Sequence, residues 1–274
     1  MRHGTVLLDV EGPIATITLN RPEVLNAANL AFSEDFEAVL DTVDAEPDVR
    51  VVLVRGAGRA FSAGLDLDMS GGSAAPKLLE FFERQEQSRM RLEALDKITI
   101  AAVHGYCLGG GLQLAISCDI RVCSAECKLG LPAVLEGIIP GMAPVRLPRL
   151  IGLGPARRLV LSGELVGAEE ALRLGMVDYV VPADRFEEET AAVVETYLKV
   201  PPTAARASKR LMRRAFEEPL AALEAEMLPM IEACLDSPEA AAAAQAWKDR
   251  RAARAREREA LTPRPPLPTV GAGE

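Results

Sequence analysis

Residues 13–20, "PIATITLN", alternate apolar with small or polar side chains, the period of a strand with one buried face. Pro22 breaks that pattern. Beyond it Phe32, Phe36, Val39, Leu40 and Val43 recur three and four residues apart, which predicts a helix with one apolar side. "DVRVVLVRGAG" (48–58) is a short β-branched run closed by glycines and predicts a buried strand. "ITIAAVHG" (98–105) and "CDIRVCSA" (118–125) repeat that type. Helical stretches or loops lie between these runs, so the rhythm is that of a layered α/β protein.

"SGGSAAP" (70–76) has the composition of a mobile loop and leads into a charged helix over 77–97. From about residue 155 the pattern is mostly helical, interrupted by the extended "GMVDYVVP" (175–182). Gly175 stands where a helix C-cap belongs, after "AEEALRL". Pro201–Pro202 divide the helical part in two. The expected organisation is a core over 1–200, a helical region over 201–260 and a Pro/Gly-rich disordered tail over 261–274.

Of the 274 residues, 49% are apolar, enough for a sizeable core. The net charge of −9 argues against a general nucleic-acid binder. The Arg-rich segment 250–258 is interspersed with Ala and Glu, as on a solvated helix face. Five cysteines without a C-x-x-C pair, and only two histidines, make a metal site unexpected. The cysteine count is odd and the N-terminus lacks the apolar core of an export signal. Reduced thiols and a cytoplasmic location are therefore expected. No apolar run approaches the roughly 18 residues of a membrane span, and none is expected.

Much chemistry can be set aside. His3 stands at a terminus and His104 ends a strand, so neither is a convincing general base. There is no G-x-S-x-G elbow, no Walker loop and no dinucleotide fingerprint. Two glycine-rich turns remain, "FSAGLDL" (61–67) and "LGGGLQLA" (108–115). The second opens a helix, whose first amides lack intrahelical acceptors. From spacing alone the two are either tight strand-to-helix turns or a pair of backbone donors converging on one oxygen.

Three ordered segments, "FSAGLDL", "AAVHGYCLGGGLQLAISCDIRV" and "LSGELVGAEEALRLGMVDYVVP", resemble the enoyl-CoA hydratase/isomerase (crotonase) superfamily, over roughly residues 5–255. The resemblance implies an α/β fold, the crotonase (ClpP-like) spiral of ββα units, with a helical C-terminal trimerisation region. It implies an acyl-CoA thioester as substrate, with CoA part of that substrate and no separate cofactor, and a homotrimer or hexamer. The amides of Leu65 and Gly110 would bind the thioester oxygen, and Leu65, Asp66, Leu67 and Asp68 would run along the CoA nucleotide. Ala63, Gly109 and Ala133 complete the expected substrate contacts.

Hydratases of this family use two glutamates, and both places differ here: Gln113 occupies one and Ala133 the other. An amide cannot accept a proton at neutral pH, and a methyl can do nothing. General acid–base work is worth roughly 10²–10⁴-fold, so ordinary hydration should suffer unless another acid serves. Glu136, three residues past Ala133, is either that relocated base or a solvated or paired carboxylate before Gly137. "EGIIPGMAPVRLPRLIG" (136–152) also resembles a branch that includes the cofactor-independent 3,5-dihydroxyphenylacetyl-CoA dioxygenase. That likeness implies an aromatic or polyketide-derived acyl group. Arg84 would then meet an aryl hydroxyl or carboxylate, or simply pair with Glu80, Glu83 and Glu86. Three functions follow: hydration, dehydration or isomerisation of an acyl-CoA; C–C cleavage or oxygenation of one; or an inactive partner assembling with an active homologue. Asp119 matches a structural acid of the family.

Overall fold

The computed structural model describes residues 2–69 and 75–261. Most of the expected loop at 70–76, and all but the first residue of the tail expected from 261, lie outside them. The chain divides into two compact units, residues 1–216 and 217–274.

In the first unit, β1 (Arg2–His3), β2 (Val6–Glu11) and β3 (Ile14–Leu19) form an antiparallel meander at one side of a sheet. Helix α1 (Leu30–Ala45) leads to β4 (Val51–Gly56), which pairs with β3 in parallel. Helix α2 (Ala75–Ala94) precedes β5 (Ile98–Val103), and β6 (Tyr106–Leu108) runs into α3 (Gly110–Ile116). Next come β7 (Ile120–Ser124), β8 (Lys128–Gly130), α4 (Ala143–Ile151) and α5 (Leu153–Ser162). The unit is completed by β9 (Leu165–Gly167), α6 (Ala168–Leu174), β10 (Tyr179–Val181), α7 (Phe186–Leu198) and α8 (Pro202–Arg214). The large sheet has the order β1-β2-β3-β4-β5-β7-β10, parallel from β3 onward. A second sheet, β6-β8-β9, stands apart from it.

Side-chain chemistry accounts for the layering. Strand β3 alternates buried and half-buried positions, while five of the six residues of β5 are buried, so β5 is covered on both faces. Helix α1 starts where the Asn29 side chain accepts the Phe32 N–H at 3.0 Å. It buries Phe32, Phe36, Val39, Leu40 and Val43, the five positions its periodicity selects. The core continues through α3 into Leu129, Leu131, Leu147 and Leu159. Gly175 closes α6 in the left-handed region, as expected. Cys107, Cys118, Cys123 and Cys127 are free and buried.

Asp119 ties three elements together at the foot of the parallel strands. Its Oδ2 accepts from the Thr99 N–H (2.8 Å), the Thr99 hydroxyl (2.9 Å) and Lys209 Nζ of α8 (2.7 Å). This is the structural role its position suggests.

The second unit contains α9 (Leu220–Leu235) and α10 (Pro238–Leu261). Ser237 caps α10 by accepting the Ala240 N–H at 3.1 Å. Along α10, Arg251 lies over the Trp247 ring, 5.3 Å from its centroid. Among the described residues no helix is long and apolar enough to cross a membrane, and no group of three or more His, Cys, Asp or Glu could hold a metal ion.

Removing the Asp119 carboxylate strands two buried-side donors and a lysine. Asp119→Ala should lower the unfolding free energy by about 3 kcal/mol in a urea titration. Asp119→Asn, which keeps an acceptor for Thr99, should lose less. A loss under about 1 kcal/mol in Asp119→Ala would refute this anchoring role.

Candidate active site

After β4 the chain passes through Phe61 into the turn Ser62–Leu65, and the conformation of that turn is set from beneath. Asn26 is fully buried in the left-handed region, at φ 56°. Its Nδ2 donates to the carbonyls of Ala57 (2.9 Å), Ala60 (2.8 Å) and Phe61 (3.2 Å), while its Oδ1 accepts the Arg21 N–H (2.9 Å). Ser62 Oγ donates to the Asn26 carbonyl at 2.8 Å and accepts the Gly64 N–H at 3.2 Å.

The turn then meets the start of α3. Gly64 has φ +96°, and a Cβ there would stand 2.7 Å from the Leu108 carbonyl oxygen and 2.9 Å from the Gly110 nitrogen. A Cβ on Gly111 would stand 2.5 Å from the Ser62 carbonyl oxygen. These glycines therefore let two backbones touch. The Gly64 and Asp66 N–H groups are engaged, on Ser62 Oγ and the Ala28 carbonyl. Between them, Leu65 N–H finds no backbone acceptor among the described residues, and neither does Gly110 N–H at the first position of α3.

Both turns open on a cavity of about 490 Å³. Its wall includes Ala63, Leu65, Asp66, Leu67 and Asp68 from the first turn, and Gly109, Gly110 and Gln113 from the second. Ala133 and Glu136 join it from the 3₁₀ turn Pro132–Glu136. Apart from Arg84, the residues singled out as a site thus line one space. Gln113 is buried, and its Oε1 has no hydrogen-bond partner. Glu136 is exposed. Asp66 is bound to Arg21 at 2.8 Å.

Arg84 is not part of that wall. It pairs with Glu37 (3.0 Å) and Glu80 (3.3 Å), the surface role its sequence neighbours allow. Another arginine on α2, Arg89, does line the cavity, together with Gln85. Its side chain is only 5% exposed, and Nη2 donates to Gln85 Oε1 (3.1 Å) and the Gly110 carbonyl (3.4 Å). Burial pushes Arg89 down to about 10, which still leaves it charged at neutral pH. Helix α2 is also tied to α4. Arg146 donates to both oxygens of Glu86 (2.5 and 3.0 Å) and to Glu93 (2.5 Å). Burial opposes the Arg146 charge, but these carboxylates prevail and raise it above the ordinary arginine value.

The family model for enoyl-CoA hydratase/isomerase matches residues 9–258. The chain belongs to the enoyl-CoA hydratase/isomerase family. Among its relatives, the short-chain-enoyl-CoA hydratase of Clostridium acetobutylicum is 34% identical over 219 residues, covering 79% of this chain and 84% of that protein. The crotonyl-CoA hydratase of Syntrophomonas wolfei is 33% identical over 211 residues, or 76% and 81% of the two chains. The crystal structure of an enoyl-CoA hydratase from Bacillus anthracis is similar with a TM-score of 0.85 and 30% identity, over 90% of this chain and 96% of that one. The crotonase fold expected from the motifs is therefore the fold of this chain.

Asn26, Gln85 and Arg89 escape sequence reading for different reasons. Asn26 follows a proline break and carries only the weak signal of an asparagine suited to a left-handed turn. Gln85 and Arg89 sit in a helix dense with charge, where most such residues face water. Their signal was spacing: Phe81, Gln85, Ser88, Arg89 and Leu92 recur on one helical face, and all are buried.

Gly64→Ala tests the contact between the turns, with Gly12→Ala as control, because Gly12 shares a positive φ but a Cβ there meets nothing within 4 Å. Gly64→Ala should cut turnover by about 10²-fold or more by parting the two unpaired amides. Gly12→Ala should cost only backbone strain, of order 1 kcal/mol, with turnover retained. Equal kinetics in the two variants would refute this role of the contact.

Proposed function

We propose that the chain converts an acyl-CoA thioester through an enolate, by hydration, dehydration or double-bond isomerisation. The observation that carries this reading is the pair of unpaired N–H groups, Leu65 and Gly110, in contacting turns that line one cavity. In this reading the thioester oxygen accepts from both. When a proton leaves carbon, or a nucleophile adds at the β-carbon, the electron pair moves onto that oxygen. Fixed amides hold the resulting charge without having to reorganise.

The protein-borne proton transfer falls to Glu136, an exposed carboxylate on the cavity wall that can exchange protons with solvent. Gln113 orients the acyl group or a water as a neutral partner. Asp66 is already engaged by Arg21. Leu65, Asp66, Leu67 and Asp68 extend the wall toward the CoA nucleotide. The assembly is a homotrimer or a hexamer. The apolar Leu220, Leu228 and Leu235 of α9, exposed in the single chain, support further association.

A second reading, C–C cleavage or oxygenation of an acyl-CoA, draws support from the same wall: the buried side chain that follows the glycines on α3 is an amide, Gln113, and the position of Ala133 holds only a methyl. Chemistry there would rely on the acidity of the substrate itself.

An acyl-CoA panel followed by product mass, with and without oxygen, separates the readings. With a responsive substrate, Glu136→Gln should lower kcat by roughly 10²–10⁴-fold and leave thioester affinity nearly unchanged. Full activity in that variant would remove Glu136 as the base and favour the second reading. Gly110→Pro, which deletes one amide, should cost turnover by roughly 10²–10³-fold in protein that remains folded. Unchanged turnover there would overturn the amide assignment. Light scattering should give three or six times the chain mass, and a strict monomer at micromolar concentration would refute the assembly.

A further inference from the structure

We infer that Arg89 is a specificity-determining residue that selects acyl groups carrying a carboxylate a few carbons from the thioester. The inference rests on the acyl-CoA reading above and adds a substrate class to it.

The buried face of α2 could be filled by apolar side chains throughout, yet it carries a guanidinium. The surroundings of that cation are unusual. Its Nη2 is given only neutral acceptors, the Gln85 amide oxygen and the Gly110 carbonyl. Its Nε is buried without any hydrogen-bond partner. The nearest carboxylate paired with it, Glu86, stands 3.9 Å from Nη1, beyond hydrogen-bond range. Both oxygens of that carboxylate already accept from Arg146 at 2.5 and 3.0 Å. Guanidinium groups favour planar, two-pronged acceptors, and a buried one without such an acceptor costs stability that an apolar residue of similar size would not. The fold thus maintains a positive charge on the cavity wall and gives it no carboxylate at hydrogen-bond distance.

The position of the charge limits what the anion can be. Arg89 Nη2 lies 3.4 Å from where a Cβ on Gly110 would stand, so it adjoins the residue whose N–H is proposed to hold the thioester oxygen. An anionic group reaching the guanidinium must therefore be attached close to the carbonyl carbon, as in malonyl or succinyl thioesters, rather than at the end of a long chain. The carboxylates around it are occupied or turned to solvent: Glu86 and Glu93 are both held by Arg146, Asp66 is paired with Arg21, and Glu136 and Asp68 are exposed, while Gln113 and Ala133 on the same wall are neutral. A carboxylate there would accept a charge-assisted hydrogen bond from the guanidinium in a site sheltered from water, where such bonds are strongest.

Saturated thioesters test this without requiring turnover. Succinyl-CoA against butyryl-CoA, and malonyl-CoA against propionyl-CoA, are pairs in which a carboxylate replaces a methyl. Titration calorimetry on the full chain should show at least one carboxylated member binding tighter than its alkyl counterpart by about tenfold or more. R89Q should abolish that ratio, and R89K, which keeps a charge without the fork, should retain part of it. Equal affinities within both pairs for the unaltered chain would overturn the inference, whether or not R89Q folds. So would a preference that persists in folded R89Q. Alkyl thioesters binding without any preference for a carboxylate would overturn this inference alone. Failure of all four thioesters to bind would overturn the acyl-CoA reading and this inference with it.

Discussion

The approach of Gly64 to the start of α3 is the constraint on which the site depends. Two backbone segments from different strand–helix connections come so close that neither Gly64 nor Gly111 can carry a Cβ without striking a carbonyl oxygen. Such proximity holds only if both segments are fixed from outside the contact. Asn26 does this for the first, pinning the carbonyl groups of Ala57, Ala60 and Phe61 in the preceding loop from one buried amide. The second is fixed by its own helix and by β6, paired to β8 in the smaller sheet. With the backbone settled in this way, the donors that remain unpaired are set by topology and not by any side chain. Reaction type is then free to follow the side chains around them.

Helix α2 supplies the other half of that freedom. It is held to α4 through Glu86 and Glu93, both on Arg146, so its cavity-facing positions are presented from a wall anchored at two points about two turns apart. On such a wall a change of one side chain alters the ligand environment without altering the frame. The pairing also removes Glu86 as a full partner for Arg89. One ion-pair network therefore both positions the wall and leaves Arg89 without a carboxylate at hydrogen-bond distance.

The parallel strands, the amphipathic α1 and the two glycine turns were legible in the sequence because each carries a local signature: alternation, a 3.6-residue period, or glycine where the chain must turn. The residues placed in the site were found through motif resemblance, and they do line one cavity. The three-stranded sheet was not anticipated. Its strands are three residues each, too short for a period to emerge, and their pairing is decided by contacts far apart in sequence. Choosing Arg84 over Arg89 as the candidate arginine shows the same limit. Both stand in one charged helix, and only the packing of Phe81 and Leu92 into the core decides which of them turns inward.

The buried cysteines have a consequence wherever enoyl thioesters are the substrates. Such substrates are Michael acceptors and alkylate thiolates. Cys107 lies two residues before the glycine turn that lines the cavity, and burial raises its thiol well above the ordinary range. Burial, then the neighbouring Asp119, pushes Cys118 up to about 12. A thiol that stays protonated is a poor nucleophile. The core packing that seats α3 thus also keeps Cys107 and Cys118 in the form least reactive toward an electrophilic thioester.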